Sequence, residues 1–330
     1  MATEREARLA RTVEEPIEPD LPICDPHHHL WDRPDNRYLL DELKRDLESG
    51  HRIVQTVFVQ CDSMYRGDGP PEMRPVGETE FVQGITVQNA GGPTNVAAGI
   101  VSFADLSLGA AVAPVLEAHA AAGGNRFRGI RHISAWDANP DVRSGRTNPQ
   151  GLLQDTKFLE GFACLQKYGL SFDAMLYHTQ LMELVDLAGA FPDVAIIMNH
   201  VGRPLGIGPY AGKRDQVFQE WKQGIAAVAA CPNVFVKLGG LGNPISGFDW
   251  HQRAVPPNSE ELVEAMAPYY LFCVEQFGAT RCMFESNFPV DKASYSYTVL
   301  WNALKRMSSG LSKDEQSALF HDTAVKAYRL

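Results

Sequence analysis

Eight short apolar runs, spaced along 330 residues, constrain this chain more than any other feature. They are LPICDPHHH (21–29), IVQTVFVQCD (53–62), NVAAGIVSFADL (95–106), FRGIRHISAWD (127–137), LSFDAMLY (170–177), VAIIMNHVG (194–202), NVFVKLGG (233–240) and RCMFESNFPV (281–290). Each reads as a β-strand, and stretches of helical periodicity usually separate them. QLMELVDLAGAF (180–191) and SEELVEAMAPYYLFCVEQFG (259–278) carry apolar residues at three- and four-residue intervals, as amphipathic helices do. Acidic residues at 260, 261 and 264 suit the N-terminus of a helix starting at Ser259. LSKDEQSALFHDTAVKAYRL reads as a closing helix.

Strand followed by helix, eight times over, predicts an α/β fold: a single (β/α)8 TIM barrel over residues 21–330, preceded by an N-terminal arm, residues 1–20. A doubly wound sheet is the competing arrangement, but no Gly-x-Gly-x-x-Gly turn follows the first strand. Two Pro- and Gly-containing segments, DSMYRGDGPPEMRP (62–75) and SGFDWHQRAVPPNS (246–259), follow strands. In a barrel such loops lie on the catalytic face, so both are read as insertions over its mouth.

Composition narrows the partners. A formal charge of −10 argues against nucleic acid or an anionic membrane surface. No apolar run approaches the ~18 residues that span a bilayer, and the first twenty residues lack the apolar stretch of a secretory signal. Six scattered cysteines show no metal-knuckle or CxxC spacing, which suits a reduced, cytoplasmic protein without a disulfide frame. A small-molecule substrate is the expected partner, and a homo-oligomer is left open.

The run DPHHHLWD (25–32) holds three of the ten histidines. Side chains alternate on a strand, so His27 and His29 share one face and His28 takes the other. Their Cα atoms would lie about 7 Å apart, close enough for both rings to reach one metal. His178 directly follows FDAMLY and His200 ends AIIMN, again at strand ends where a barrel assembles its chemistry. Arg131 and Lys237 interrupt otherwise apolar strands, where a charge is costly unless paired or used. Arginine suits a two-pronged grip on a carboxylate, and lysine suits a single carbonyl or oxyanion. Trp31 and Tyr177 are aromatic residues at strand ends, candidates for substrate walls.

Taken together, these pieces resemble the amidohydrolase superfamily, and within it the amidohydrolase-related family that includes 2-pyrone-4,6-dicarboxylate lactonase and sugar-lactone hydrolases. The resemblance runs through DPHHHLWD, FRGIRH, YHTQLMELVDLA, NHVGRP, VKLGGL and MFESNFPV, in the family's order, over residues 21 to 328. It implies a (β/α)8 barrel and hydrolysis of lactones, with decarboxylase and isomerase relatives. It implies His27, His29 and His178 as ligands of a divalent metal, Zn²⁺ first, with His200 as a further ligand or proton shuttle. Arg131 and Lys237 would then face the substrate.

One departure stands out. The family ends its eighth strand with G-S-D-W-P, whose aspartate binds metal or acts as base; here the segment is ESNFP, with Asn287 at that place. An amide cannot take up a proton as a carboxylate does. Glu285, two residues earlier and on the same strand face, is the candidate replacement, with an ion pair to Lys237 as its structural alternative. The expected activity is therefore hydrolysis of a small anionic lactone or related ester by metal-activated water. Decarboxylation or lactone isomerisation in the same pocket, with metal-independent catalysis, is the enzymatic alternative. A binding barrel without catalysis is the third reading.

Overall fold

The computed structural model describes residues 4–34, 36–142 and 148–330. Eight strands form one sheet: β1 (Ile23–His28), β2 (Ile53–Val59), β3 (Asn95–Ser102), β4 (Phe127–Ile130), β5 (Ser171–Ala174), β6 (Ile196–Met198), β7 (Val234–Leu238) and β8 (Cys282–Phe284). Their spatial order is their chain order, and each neighbouring pair is parallel. The ring returns to β1 through a bridge between His28 and Phe288 and a 2.8 Å bond from the His29 N–H to the Phe288 carbonyl. This is a (β/α)8 barrel, as the eight apolar runs predicted.

The closing seam is built around a proline. Pro26 has no N–H to give a ladder, and the β1 register slips between Asp25 and His28. The buried Asp25 carboxylate takes over. It accepts the N–H of His27 (3.3 Å), the N–H of Ser286 (3.0 Å) and the Tyr297 hydroxyl (2.9 Å). Burial pushes its pKa up to about 6 against the pull of those bonds.

Two apolar regions flank the sheet. The larger lies between strands and helices and includes Phe58, Phe172, Trp221, Tyr270 and Trp301. Burying a side chain of that size stabilises the fold by about 1.5–3 kcal/mol. The second fills the barrel with Cys24, Val57, Val59, Val101, Ile197 and Met283, and the C-terminal helix, Thr323–Tyr328, closes it with Ala324, Ala327 and Tyr328. Helix Ser259–Phe277 shows how sequence sets these layers. Leu262, Met266, Tyr269, Tyr270, Cys273 and Phe277 form its buried stripe. Its cap is Asn258, one residue before the expected start: Asn258 accepts the Glu261 N–H and Glu261 answers to the Asn258 N–H, completing a capping box.

Against the expectation that no apolar run is long enough to span a bilayer, the segment Leu106–Arg126 has that length and hydropathy. It is broken at Gly109 (φ 62°), and its helical part, Ala113–Gly123, buries Val115, Leu116 and His119 against the fold. The first residues dock rather than trail. Arg8 donates to the carbonyls of Trp250, Arg253 and Ala293, and Thr12 donates to that of Pro256. Glu14 accepts the Ser259 N–H at 2.7 Å. The arm thereby braces the loop after β7.

Tyr328 does more than fill space. Its hydroxyl lies 2.9 Å from both oxygens of Asp173, a wholly buried carboxylate on β5. Tyr328→Phe leaves that charge short of a donor. The substitution should lower the free energy of urea unfolding by about 1.5–3 kcal/mol with m unchanged.

Candidate active site

Alternation along β1 turns His27 and His29 inward and His28 outward. The inward rings meet edge to face at 4.9 Å. His28 Nε2 lies 2.9 Å from Thr56 Oγ1, on the side of Phe58. His29 Nδ1 is 2.7 Å from the Val59 carbonyl, which can only accept. Nδ1 therefore carries the hydrogen and Nε2 keeps a free lone pair. Trp31 stacks on His29 at 5.7 Å, and the Arg33 guanidinium covers the indole at 4.2 Å. The indole thus supports His29 from the side.

Glu285 follows β8 and faces two of these rings. Its Oε1 pairs with His200 Nδ1 at 2.6 Å. Its Oε2 is also 2.6 Å from His27 Nδ1, but out of line for a hydrogen bond, so it is a buried acceptor without a donor. His27 and His200 stack at 4.7 Å. Space for this comes from Gly239 and Gly240: a Cβ on the first would overlap Glu285 Cγ, and one on the second the His200 ring. Burial pushes Glu285 up to about 8, opposed chiefly by Lys237. Burial also drives His27 and His200 well below the usual imidazole value, so both rings are neutral.

His200 reaches this position by an unusual route. His200, Val201, Gly202 and Arg203 are all left-handed, with φ of 54°, 50°, 68° and 46°. For non-glycine residues each such conformation costs about 1–3 kcal/mol. Trp221 Nε1 donating to the Val201 carbonyl (2.6 Å) and the His178 N–H approaching the Arg203 carbonyl (3.4 Å) hold the turn.

Three buried cations surround the imidazoles. Lys237 Nζ donates to Asp173 Oδ2 at 2.8 Å and stands 3.3 Å from His27 Nδ1. Its carboxylate partner is thus Asp173, not Glu285. Arg131 follows β4, places Nη1 3.3 Å from His27 Nε2 and donates to the Gln60 carbonyl. Arg203 is equally buried, and burial lowers its pKa to about 10. Among the described residues neither arginine pairs with a carboxylate, and the Nε of each has no acceptor.

The remaining candidates lie around this centre. Asn287 (φ 55°) donates from Nδ2 to Asp291 at 2.8 Å. Tyr177 ties its hydroxyl to the Val142 carbonyl at 2.8 Å and packs with Leu205 and Ile245. His178 accepts the Leu205 N–H (3.4 Å) and sets its ring against the edge of Tyr210 at 5.3 Å.

His27, His200 and Glu285 each bring one ligand atom within 4.8 Å of the others. Two imidazoles and a carboxylate form a donor set suited to a catalytic divalent ion. The undonated Glu285 oxygen and the neutral rings fit such an ion. Sequence reasoning joined His27 with His29 and His178; the structure groups His27 with His200 and Glu285. The left-handed turn at 200–203 brings His200 in, while His178 stands beside Tyr210.

A family model described as amidohydrolase matches residues 24–330. The chain belongs to the amidohydrolase family. It is 33% identical over 325 residues to an uncharacterized protein, y4mH, of Sinorhizobium fredii, covering 94% of this chain and 99% of that one. An L-fucono-1,5-lactonase of Burkholderia multivorans is 27% identical over 208 residues, 63% of this chain and 64% of that protein. A crystal structure of a zinc-bound amidohydrolase from Burkholderia multivorans superposes with a TM-score of 0.71 at 23% identity, covering 93% of this chain and 99% of that one.

Sequence reasoning missed Asp173, Arg203 and Asp291. Asp173 in LSFDAMLY was open to the same argument applied to Arg131 and Lys237, a charge inside an apolar strand. Arg203 in HVGRPLGI carried a weaker form of that signal. Within this cluster, Gly240 is a sharp point of failure. Gly240→Ala should leave far-UV circular dichroism intact yet reduce retention of any added divalent metal by at least tenfold, because the methyl displaces His200; elemental analysis after dialysis checks this.

Proposed function

We propose that this amidohydrolase opens a small anionic lactone by adding water. The observation that carries the reading is Arg131: a buried guanidinium beside His27, without a carboxylate of its own. Burying such a charge is expensive unless something pairs it, and an anionic ligand does so. Arg203, on the strained turn that presents His200, adds a second unpaired cation.

In this reading His27, His200 and Glu285 hold a divalent ion, with Zn²⁺ the simplest choice and the free Nε2 of His29 beside them. When bound, such an ion supplies polarisation of a carbonyl and acidity to water. Arg131 and Arg203 grip the anionic group and fix the lactone carbonyl over the imidazoles, as two-pronged guanidinium contacts allow. Lys237, its charge balanced by Asp173, stands 3.3 Å from His27 Nδ1 and holds that ring in place. Water adds to the carbonyl carbon, the ring C–O bond breaks, and the released alkoxide takes a proton. With His200 and Glu285 committed to the ion, the unprotonated Nε2 of His29 is the base left to carry that proton from water to alkoxide. Trp31 acts through His29 by stacking, and Tyr177 walls the mouth with Leu205. All six cysteines are free, which supports work in a reducing compartment.

Asn287 favours a second reading, because decarboxylation or lactone isomerisation needs no water-activating carboxylate at the end of β8. The two readings separate in ¹⁸O-labelled water. A panel of carboxylated lactones, beginning with D-glucaro-1,4-lactone and with neutral L-fucono-1,5-lactone for comparison, should yield an acid carrying one label if hydrolysis is right. Unlabelled product, or released CO₂, selects the other chemistry. His27→Ala and His200→Ala should each lose bound zinc and at least 10³-fold in kcat/KM; a variant that retains both would refute the ligand assignment.

A further inference from the structure

After β8 a carboxylate is present, but four residues later than the family pattern and behind an amide. Asn287 donates from Nδ2 to Asp291 Oδ1 at 2.8 Å, and the Asp291 N–H returns to the Asn287 carbonyl at 3.1 Å. The other carboxylate oxygen, Oδ2, is taken by the Gly242 N–H at 3.0 Å and the Tyr295 hydroxyl at 2.7 Å. Tyr295 sits where a Cβ on Gly242 would lie, so this glycine lets the loop after β7 close on the pair. Asp291 is wholly buried.

Three donors converge on this carboxyl group, so both its oxygens act as acceptors, although burial pushes its pKa up to about 7. It therefore selects the NH₂ end of the Asn287 amide. Turning the amide over would set two acceptors against each other at hydrogen-bond distance in a poorly solvated interior. Asn287 Oδ1 is left turned away from Asp291, and it accepts no hydrogen bond from the described residues.

We propose that Asp291 is a positioning residue that fixes Asn287 as a neutral acceptor at the catalytic end of the barrel. The ligand there must donate, so this position takes a substrate hydroxyl or a water. It rejects a carboxylate or carbonyl, which belong to Arg131 and Arg203. The substrate class is a lactone carrying a hydroxyl besides its single anionic group, not one with a second carboxylate. The claim about substrate rests on the active-site reading above; the claim about the pair does not.

A three-variant cycle tests it. Asn287→Asp sets two carboxylates face to face and should lower Tm by about 3 °C or more. Asp291→Asn lets Asn287 turn over and offer its carbonyl to the new amide, so Tm should change little. Combining the two restores a carboxylate–amide pair in reverse and should recover most of the lost Tm. With ¹⁵N-labelled asparagine, Asn287 side-chain amide protons should exchange slowly in the wild type and at least tenfold faster in Asp291→Asn. The ratio of kcat/KM for D-glucaro-1,4-lactone, which carries both a carboxylate and hydroxyls, over 5-oxotetrahydrofuran-2-carboxylate, which carries the carboxylate alone, should fall at least tenfold in Asp291→Asn. A double variant no more stable than the two single effects summed, or fast amide exchange in the wild type, overturns the positioning role. An unchanged ratio overturns the hydroxyl assignment. Failure to turn over either lactone counts against the hydrolase reading, while Tm and exchange still decide the pair.

Discussion

The candidate site depends on one buried carboxylate placed between two imidazoles from different strands. Glu285 sets Oε1 and Oε2 each 2.6 Å from a ring nitrogen, those of His200 and His27. A carboxylate in that environment is stable only if something positive lies between or beside the groups, either a shared proton or a bound ion. The protein offers it little competition: His29 Nδ1 is committed to Val59, and Lys237 is committed to Asp173. Glu285 is thus left to the two rings, which is the condition for acting as ligand or proton carrier.

Holding those groups together costs backbone freedom, and the fold absorbs the cost at its seams. Pro26 breaks the β1 ladder, and Asp25 repairs it by bridging to Ser286 and Tyr297. That repair places His27 opposite the residues following β8. The left-handed turn at 200–203 does the same for His200, and the Gly239–Gly240 pair clears room for both acidic and basic partners. Strain of this kind persists only where the surroundings over-determine it. Trp221, packed in the outer core and bonded to the Val201 carbonyl, links helix packing to the position of the His200 imidazole.

Much of this was legible in the chain. Parallel strands buried on both faces read as near-continuous apolar runs, so LPICDPHHH or VAIIMNHVG could be located without coordinates. Alternation sufficed to put His27 and His29 together and His28 behind the sheet. It did not suffice beyond strand ends, where side-chain direction is set by loop conformation. The inward turn of His200 depends on four consecutive positive φ angles, and the sequence HVGR marks only one of them with a glycine. The partner of Lys237 was a choice between carboxylates on different strands, and which is nearer depends on barrel stagger that one sequence does not display. The start of the helix at Ser259 was legible from its acidic first turn, although its cap, Asn258, was not.

Charge placement in the barrel separates structural cations from those left for a ligand. Lys237 and Arg131 both approach His27 at 3.3 Å, one at each ring nitrogen. Lys237 is neutralised by Asp173, which Tyr328 and Asn199 also bind, so its charge is satisfied within the fold. Among the described residues Arg131 meets a backbone carbonyl and a neutral ring but no carboxylate. At an effective dielectric near 20, an opposite charge 4 Å away is worth about 4 kcal/mol. The fold supplies that interaction to Lys237 and withholds it from Arg131, although Asp173 lies close enough to raise the arginine's affinity for its proton. A buried guanidinium without a carboxylate among the described residues is destabilising until an anion pairs it, and the proposed anion-binding role rests on that cost.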